Sequence, residues 1–377
     1  MPHATIEEQV AVDRIRPAYE GVDAVVQINP GLRVVRRSAG CMQIGVGPGG
    51  LIVEGLSSPE EDFVGALAVG TADPLAASTR LGITPERALH LLQMLAPALF
   101  AEPSAPPIPG LRGERLAPEE RLLRAVHHAP ADELLACRGR AVVRITGLGR
   151  TGAALAQALV GAGVGTVLLE DDAVVGAADV GPGGYRISDI GMPRSAAVRR
   201  QLLGLDPGCQ PHVLHSGSEA GSVFHLLDLV VHCGHDTLDP AASAELMRRD
   251  QPHLLVLLRE QDGTVGPLVL PGATACAECV ERHRADADPQ WLGLCASLSR
   301  SPALGEDAPT ALSLAGAAAR AALLFLDGGA APAALSAVLT LRAADGGWSR
   351  REYLPHPDCG CQFQRQALAM ISSTASP

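Results

Sequence analysis

Two pairs of cysteines have the spacing of metal ligands. Cys276 and Cys279 form CxxC in the stretch GATACAEC, and Cys359 and Cys361 form CxC in the stretch HPDCGCQ. Both stretches are turn-rich, and two such pairs supply the four thiolates of a tetrahedral site. We predict a structural zinc site with no open position for substrate, because the protein fills all four. Two alternatives stay open: four unrelated thiols, or a redox-active CxxC.

Other potential ligands near these pairs are interpreted as bystanders. His283 and His356 could replace a thiolate, but we expect both to be solvated neighbours of the site. Cys295 lies between the pairs in sequence and is either a small buried thiol or a nucleophile. The other cysteines are interpreted as core or incidental thiols: Cys41, Cys137, Cys209 and Cys233.

A second constellation lies in residues 141–172. Gly147, Gly149 and Gly152 form GxGxxG directly after a short apolar run and before an apolar-faced helix. Such glycines let backbone amides approach a diphosphate, and the positive end of the helix dipole points at the same place. The stretch therefore predicts a Rossmann-like unit with a nucleotide-binding loop.

Acidic residues follow the second strand of this unit. The strand predicted from residue 166 to 169 ends at Glu170, Asp171 and Asp172, about 20 residues beyond the last glycine, where a ribose-binding carboxylate normally lies. The same features are compatible with a dinucleotide-dependent oxidoreductase. The cysteine pairs argue against that alternative.

Strands and helices alternate through the rest of this region. Apolar runs predict strands at residues 212–215, 228–233 and 254–258, and helices at residues 194–203 and 240–249. This alternation predicts an α/β fold with a mostly parallel sheet covered by helices on both faces. The glycine-rich run 176–191 is expected to be too irregular for a core element.

The front of the chain has a different pattern. Three short strands, with LIVE at residues 51–54 as the last, precede three helices that start at Ser58-Pro59, Asp73-Pro74 and Thr84-Pro85. This order predicts a small winged-helix-like module, whose open strand edge could accept an extended peptide. The predicted organisation comprises a lead-in segment 1–29, this module 30–100, a linker 101–117, the α/β domain 118–362 and a tail 363–377.

Composition excludes several functions. The 377-residue chain has a formal net charge of −11 and contains no lysine, so we expect no nucleic-acid partner and no Walker-type phosphate loop. The first 20 residues carry Glu7, Glu8 and Asp13 instead of a secretory signal. The apolar run 311–326 is interrupted by Arg320 and is short for a membrane span. We expect a cytoplasmic protein without a membrane partner.

Together, the glycine loop, the segments LLEDDAV, DIGMPR and DLVVHC, and the two cysteine pairs resemble the ThiF/MoeB superfamily of activating enzymes. The resemblance implies a Rossmann-like domain that adenylates the C-terminal carboxylate of a small protein, usually as a homodimer with cysteine-bound zinc. Carried over to this chain, it implies nucleotide contacts at Gly147, Gly149, Gly152, Glu170, Asp172 and Arg194.

The chain departs from the superfamily where ATP would bind. Glu170 replaces the family's ribose-binding Asp, Arg194 its phosphate-binding lysine, and His235 the acid associated with Mg-ATP. The family's Asn, Arg and Gln correspond here to Ala178, Gly181 and Pro182. Without those groups little would neutralise a triphosphate, so the nucleotide site is expected to be vestigial.

The winged-helix-like front, the phrase DVGPGGYR and the pairs CAEC and CGC more closely resemble the ThiF-like, leader-peptide-binding proteins of thiazole/oxazole-modified microcin biosynthesis. This resemblance implies a non-catalytic scaffold that presents a precursor peptide to a YcaO-type cyclodehydratase. It implies leader contacts at Ile52, Glu54, Leu91 and Leu95. The alternative is a working ATP-dependent adenylyltransferase acting on a carrier protein or peptide.

Overall fold

The computed structural model describes residues 24–47, 49–103, 110–127, 131–215, 226–299, 301 and 305–362. The chain divides into two compact units, Met1–Leu135 and Ala136–Pro377. The predicted tail 363–377 and the first 23 residues of the predicted lead-in lie outside the described residues.

The first unit contains two small antiparallel sheets and a set of helices. One sheet pairs β1 with β5, and the other has the order β2-β3-β4. The elements are β1 (Ala24–Ile28), β2 (Val34–Ser38), β3 (Cys41–Ile44), β4 (Leu51–Glu54), α1 (Ser58–Val69), α2 (Pro74–Arg80), α3 (Pro85–Leu95), β5 (Leu99–Pro103) and α4 (Gly110–His127).

The starts of α1, α2 and α3 follow the predicted cap chemistry. Proline occupies the first turn of each helix, where its missing N–H costs nothing. Asp73 and Thr84 accept hydrogen bonds from backbone amides one turn on. The N-cap of helix α1 is Ser57, one residue earlier than expected, and its amide and hydroxyl both donate to the Glu60 carboxylate. The three strands and three helices are present as predicted, while their winged-helix classification stays a prediction.

Two of the predicted boundaries differ from the structure. Strand β1 lies within the predicted lead-in 1–29, because its partner β5 is about 75 residues away and long-range pairing leaves no local signal. Strand β5 and the start of α4 fall within the predicted linker 101–117, of which residues 104–109 lie outside the described residues. Helix α4 continues through Pro118, which we had expected to begin the larger domain.

The second unit is built on one eight-stranded sheet in the order β13-β12-β11-β10-β9-β6-β7-β8. The strands β10, β9, β6, β7 and β8 run parallel, and β11, β12 and β13 extend the sheet in antiparallel fashion. The elements, beginning with a helix that crosses the unit boundary, are α5 (Ala131–Arg140), β6 (Val142–Thr146), α6 (Arg150–Gly161), β7 (Thr166–Glu170), α7 (Arg194–Leu205), β8 (Gln210–Leu214), β9 (Leu229–His235), α8 (Pro240–Arg248), β10 (His253–Leu258), β11 (Asp262–Val269), α9 (Ala277–Ala287), α10 (Trp291–Leu298), α11 (Ala308–Asp327), β12 (Ala337–Arg342) and β13 (Trp348–Glu352).

The main core of this unit joins the sheet to α6, α7 and α11. Every residue of β10 is buried, as expected for a central parallel strand covered on both faces. Within the described residues, α11 is the one helix long and apolar enough to cross a membrane, and half of its most apolar window is buried inside the protein. Strands β9, β6 and β7 end side by side, so their carboxyl ends bring the glycine loop and the acidic residues together.

Candidate functional site

The structure brings the two cysteine pairs together. Cys276 is the N-cap of α9, Cys279 lies in its first turn, and Cys359 and Cys361 follow β13. The Sγ–Sγ distances are 3.7 Å for Cys276–Cys279, 3.6 Å for Cys276–Cys359 and 3.4 Å for Cys279–Cys361. A tetrahedral thiolate site with metal–sulfur bonds of about 2.3 Å has edges of about 3.8 Å. The cluster could therefore hold a metal ion with a modest adjustment of its sulfurs.

The four sulfurs are largely buried, so negative charge on them must be balanced nearby. Cys276, Cys279 and Cys359 are buried among apolar side chains such as Val269 and Val280. Hydrogen bonds from the Cys276 thiol and from the His356 amide, 3.3 Å away, lower the pKa of Cys279, although burial opposes them. Several buried thiolates at van der Waals distance repel one another unless a cation lies among them. The donor set therefore fits a thiolate-preferring metal ion.

The two histidines near the cluster are more ordered than expected. His356 is buried, which corrects the expectation that it is solvated, because its ring packs against His283 with centroids 4.8 Å apart. Its Nδ1 accepts the Asp358 amide at 3.1 Å, and its Nε2 lies 3.0 Å from Asp286. His283 is partly buried, and its Nε2 lies 2.9 Å from the Leu354 carbonyl oxygen. Both rings thus support the cluster from outside the four sulfurs.

Cys295 has the surroundings of an unreactive thiol. It lies on α10, and its Sγ is 3.6 Å from a carboxylate oxygen of Glu281. Burial and this carboxylate raise the pKa of the thiol to about 11. The thiolate is the nucleophilic form of cysteine, so these surroundings disfavour a nucleophilic role.

The glycine loop has the close packing that its spacing predicts. Gly147 has a positive φ of 78°, and a Cβ there would overlap the Cys233 carbonyl oxygen of β9. A Cβ at Gly152 would overlap the Gly147 carbonyl oxygen. Both positions thus require glycine for the loop to turn tightly between β6 and α6. Gly149 is the N-cap of α6.

The acidic residues at the end of β7 do not all face this loop. Glu170 accepts a hydrogen bond from Arg144 Nε of β6 at 2.7 Å, which ties the predicted ribose carboxylate to a neighbouring strand. Asp171, to which the resemblance assigns no nucleotide contact, accepts the Leu148 amide of the loop at 2.7 Å. Asp172 is half-exposed and lies 3.5 Å from His215. Asp171 is therefore the carboxylate that binds the loop backbone.

Arg194 is close to the loop, but its guanidinium forms ion pairs with two carboxylates. Its guanidinium donates to Asp179 at 2.7 Å and to Asp171 at 3.2 Å. These partners raise the pKa of Arg194 against the opposing effect of burial. The guanidinium at the position of the family's phosphate-binding lysine thus neutralises two side chains of this chain.

Three contributing residues are not among the predicted nucleotide contacts: Tyr185, Asp189 and Glu306. Tyr185 and Asp189 lie in the run 176–191, which forms no α-helix or β-strand, as expected, yet buries both of these side chains. The Tyr185 hydroxyl donates to the Leu148 carbonyl oxygen at 2.5 Å, and Asp189 is fully buried. Glu306 accepts hydrogen bonds from the Thr151 amide at 2.7 Å and hydroxyl at 2.6 Å. A tyrosine in a chain with 3% aromatic residues was the one available signal.

The candidate peptide contacts fall into two groups. Ile52 is 45% exposed and Glu54 is exposed on β4, which pairs only with β3 among the described residues and so lies at a sheet edge. Leu91 and Leu95 are fully buried in the core of the first unit. Helical spacing of apolar residues marks the face that packs inward, and their assignment as leader contacts stays a prediction.

The combination of a glycine-loop α/β unit and a four-cysteine cluster matches a known family. Residues 124–362 match the model of the ThiF family, and the chain belongs to that family. This confirms the resemblance to the ThiF/MoeB superfamily and the predicted α/β fold. A search of curated proteins found no match.

Solved structures share this fold over most of the chain. E. coli MccB crystallised with ATP has a TM-score of 0.68 and 17% identity, covering 89% of this chain and 99% of MccB. The microcin C7 biosynthetic enzyme MccB in complex with N-formylated MccA has a TM-score of 0.68 and 16% identity, covering 90% and 99%. PaaA has a TM-score of 0.67 and 16% identity, covering 86% and 99%. At these identities the similarity shows the fold alone.

Proposed function

We propose that the protein is a peptide-binding scaffold that presents a ribosomal precursor peptide to a YcaO-type cyclodehydratase and performs no ATP chemistry itself. One observation carries this proposal: the charged side chains at the carboxyl end of β7 are paired with charged groups of the same unit. Arg144 pairs with Glu170, Arg194 pairs with Asp171 and Asp179, and Asp171 also accepts a loop amide.

Adenylation requires unpaired positive charge around the α-phosphate as negative charge develops there. In this pocket, a nucleotide would have to separate Arg194 from two carboxylates and Arg144 from one before either guanidinium could bind it. Each separation removes a charged hydrogen-bond partner from a partly buried carboxylate, which costs about 1–3 kcal/mol. This cost supports a pocket that no longer handles triphosphate.

The peptide side of the proposal rests on β4. Its outward-facing residues Ile52 and Glu54 alternate with the buried Val53, and its free edge can pair with an extended segment. Added strands gain affinity from main-chain hydrogen bonds and specificity from alternate side chains. The complex of the structural neighbour MccB with MccA supports a peptide partner for this chain.

We further propose that the metal in the cysteine cluster is zinc, that it stabilises the fold, and that the protein is a cytoplasmic homodimer. The four-sulfur donor set supports zinc, because closed thiolate sites of this kind are structural.

Binding of a fluorescent leader peptide tests the proposed function. The probe is the N-terminal half of a short precursor encoded beside the gene, measured by fluorescence anisotropy with the full-length protein. We expect Ile52→Asp to weaken binding about tenfold, because it introduces a charge at the docking edge. Val35→Asp is the matched control, since Val35 is 41% exposed and lies in the same cross-strand row on the opposite edge strand.

The control should change binding less than about twofold. If only Val35→Asp loses binding, the peptide docks on β2 and not on β4. If the wild-type protein does not bind the leader peptide, the proposed function is overturned.

The second candidate is an ATP-dependent adenylyltransferase, which the intact geometry of Gly147 and Gly152 favours. Exchange of radiolabelled pyrophosphate into ATP tests it in the presence of a cognate acceptor. This alternative requires exchange that disappears in Arg194→Ala and Glu170→Ala. The scaffold proposal expects none in the wild-type protein.

A further inference from the structure

We propose that Glu306 is a built-in anion that occupies the phosphate position of the glycine loop, so that a phosphate-bearing ligand can enter only after this side chain leaves. The inference deepens the proposed function and rests on it. It identifies one residue whose removal should restore an anion site.

The side chain of Glu306 is bound where the loop becomes a helix. Its Oε2 accepts the Thr151 amide at 2.7 Å and the Thr151 hydroxyl at 2.6 Å. Thr151 is the second residue of α6, so its amide is one of the first-turn donors that have no partner within the helix. These amides carry the positive end of the helix dipole, which is where nucleotide-binding loops hold a phosphate.

The loop is shaped around this carboxylate. A Cβ at Gly149 would overlap Glu306 Oε1, so this glycine provides the space that the carboxylate fills. The guanidinium of Arg150 donates to the Glu306 carbonyl oxygen at 2.9 Å and to the Val180 carbonyl oxygen at 2.7 Å. Glu306 is therefore held by both its main chain and its side chain, and only 10% of the side chain is exposed.

A phosphate cannot share this position with Glu306. Both groups would accept the same Thr151 donors, and two anions at hydrogen-bond distance repel each other strongly in a buried site. The Glu306 carboxylate and a ligand phosphate therefore compete for the same donors, and only one of them can be bound at a time.

His235 indicates that the position is larger than a carboxylate needs. Its buried Nε2 has no hydrogen-bond partner among the described residues and lies 3.9 Å from Glu306 Oε1. A buried ring nitrogen without a partner is costly. A phosphate is larger than a carboxylate and has more acceptor oxygens, so it suits a position that leaves this nitrogen without a partner. The pocket therefore combines donors for a phosphate with a carboxylate that covers only some of them.

Calorimetric titration with inorganic pyrophosphate tests the inference on the full-length protein. We expect Glu306→Ala to bind pyrophosphate at least about tenfold more tightly than the wild type, because the Thr151 donors become available. Glu306→Gln should gain less, since an uncharged amide oxygen can still accept from Thr151. The control Glu352→Gln changes an exposed glutamate on β13 and should bind as the wild type does.

Each outcome decides the matter. Equal pyrophosphate affinity of the wild type and Glu306→Ala, including no binding by either, overturns the inference. If Glu306→Ala does not fold, as judged by its melting curve, Glu306→Gln carries the same test. Failure here leaves the proposed function standing, because leader-peptide binding is measured separately. If the wild-type protein does not bind the leader but Glu306→Ala gains pyrophosphate affinity, the proposed function is overturned. The inference that Glu306 occupies the phosphate position then still stands.

Discussion

The cysteine cluster and the glycine-loop pocket both belong to the ThiF-type architecture, yet they balance their charges in opposite ways. The four sulfurs contact one another and the His356 amide, so ionised thiols there need a cation from outside the chain. In the pocket, Glu170 and Arg194 are already neutralised by side chains of the same unit. The cysteine cluster therefore needs a bound cation to balance its charge, whereas Glu170 and Arg194 in the pocket are balanced by other side chains of the protein.

This difference determines how each region contributes to the stability of the fold. A site that lacks a charge binds its ligand with a large gain in folding free energy. A site whose charges are satisfied gains little from a ligand and stabilises the fold directly. We therefore expect ligand-dependent stability at the cysteine cluster and ligand-independent stability at the pocket.

The largest expected effect is at the cysteine cluster. Replacing Cys279, which contacts two other sulfurs and the His356 amide, should abolish metal binding and unfold the C-terminal half of the protein. A structural thiolate site contributes on the order of 10 kcal/mol to folding. Metal analysis and thermal melting of Cys279→Ser measure both effects.

The control for this substitution is Cys137→Ser, which changes an exposed thiol far from the cluster in sequence. Metal content and melting temperature should then match those of the wild type. Equal melting temperatures of the wild type with and without a strong chelator would contradict a structural metal and remove the contrast between the two regions.

The next effect is at a buried charge pair of the second unit. Arg138 and Asp327 are each about 1% exposed and are joined by two hydrogen bonds of 2.8 and 2.7 Å between α5 and the end of α11. Asp327→Ala should cost about 3–5 kcal/mol, because it leaves a buried guanidinium without its carboxylate. Urea unfolding measures the loss.

The double variant Arg138→Met/Asp327→Leu should recover much of this stability, since both buried charges are removed together. If Asp327→Ala is as stable as the wild type, buried ion pairs of this kind contribute little to the free energy of unfolding of this unit.

The sequence predicted the elements whose signal is local. Strands β6, β7, β9 and β10 are continuous apolar runs, and the starts of α1, α2 and α3 are marked by proline after a capping residue. The antiparallel strands β11, β12 and β13 were not predicted. Strand β11 contains two glycines and a proline, and β13 is exposed throughout, so neither resembles a buried strand.

The candidate sites follow the same rule. The cysteine pairs and the glycine loop were found because spacing within a few residues defines them. Glu306 and Thr151 are 155 residues apart, and no local pattern connects a glutamate before α11 to the start of α6. The nucleotide role of Arg194 stays a prediction, and its pairing with Asp179 depends on how the run 176–191 folds. Charge compensation between distant segments leaves no local pattern in the sequence, so it could not be predicted from it.

A smaller effect is expected at Arg194. Arg194→Ala should lower the free energy of unfolding by roughly 1–3 kcal/mol, because Asp171 and Asp179 lose a charged hydrogen-bond partner. ATP binding, measured by calorimetry, should be as weak as in the wild type. Arg248→Ala, which breaks an exposed pair with Glu245, is the control and should cost less than about 1 kcal/mol.

Weaker ATP binding in Arg194→Ala than in the wild type would show that this guanidinium serves a nucleotide. The pocket would then depend on a ligand as the cysteine cluster does.

The smallest effect concerns pH. Burial would raise the pKa of Asp189, but hydrogen bonds from the Arg186 amide and Gln201 and the charge of Arg200 lower it below its usual range. The folded state therefore holds this proton less tightly than the unfolded chain, so Asp189 stabilises the fold above the unfolded pKa of about 3.9, and this contribution is lost as pH falls through the lower folded value.

Asp189→Asn should therefore cost on the order of 1 kcal/mol near neutral pH, and the difference from the wild type should shrink steadily below about pH 4. Urea unfolding at several pH values measures it, with Asp345→Asn as the exposed control. A difference that stays constant down to the acid transition would mean that packing of the side chain, and not its charge, stabilises the run 176–191. The pocket would then be held by shape, and its contrast with the charge-dependent cysteine cluster would rest on Arg194 and Glu170 alone.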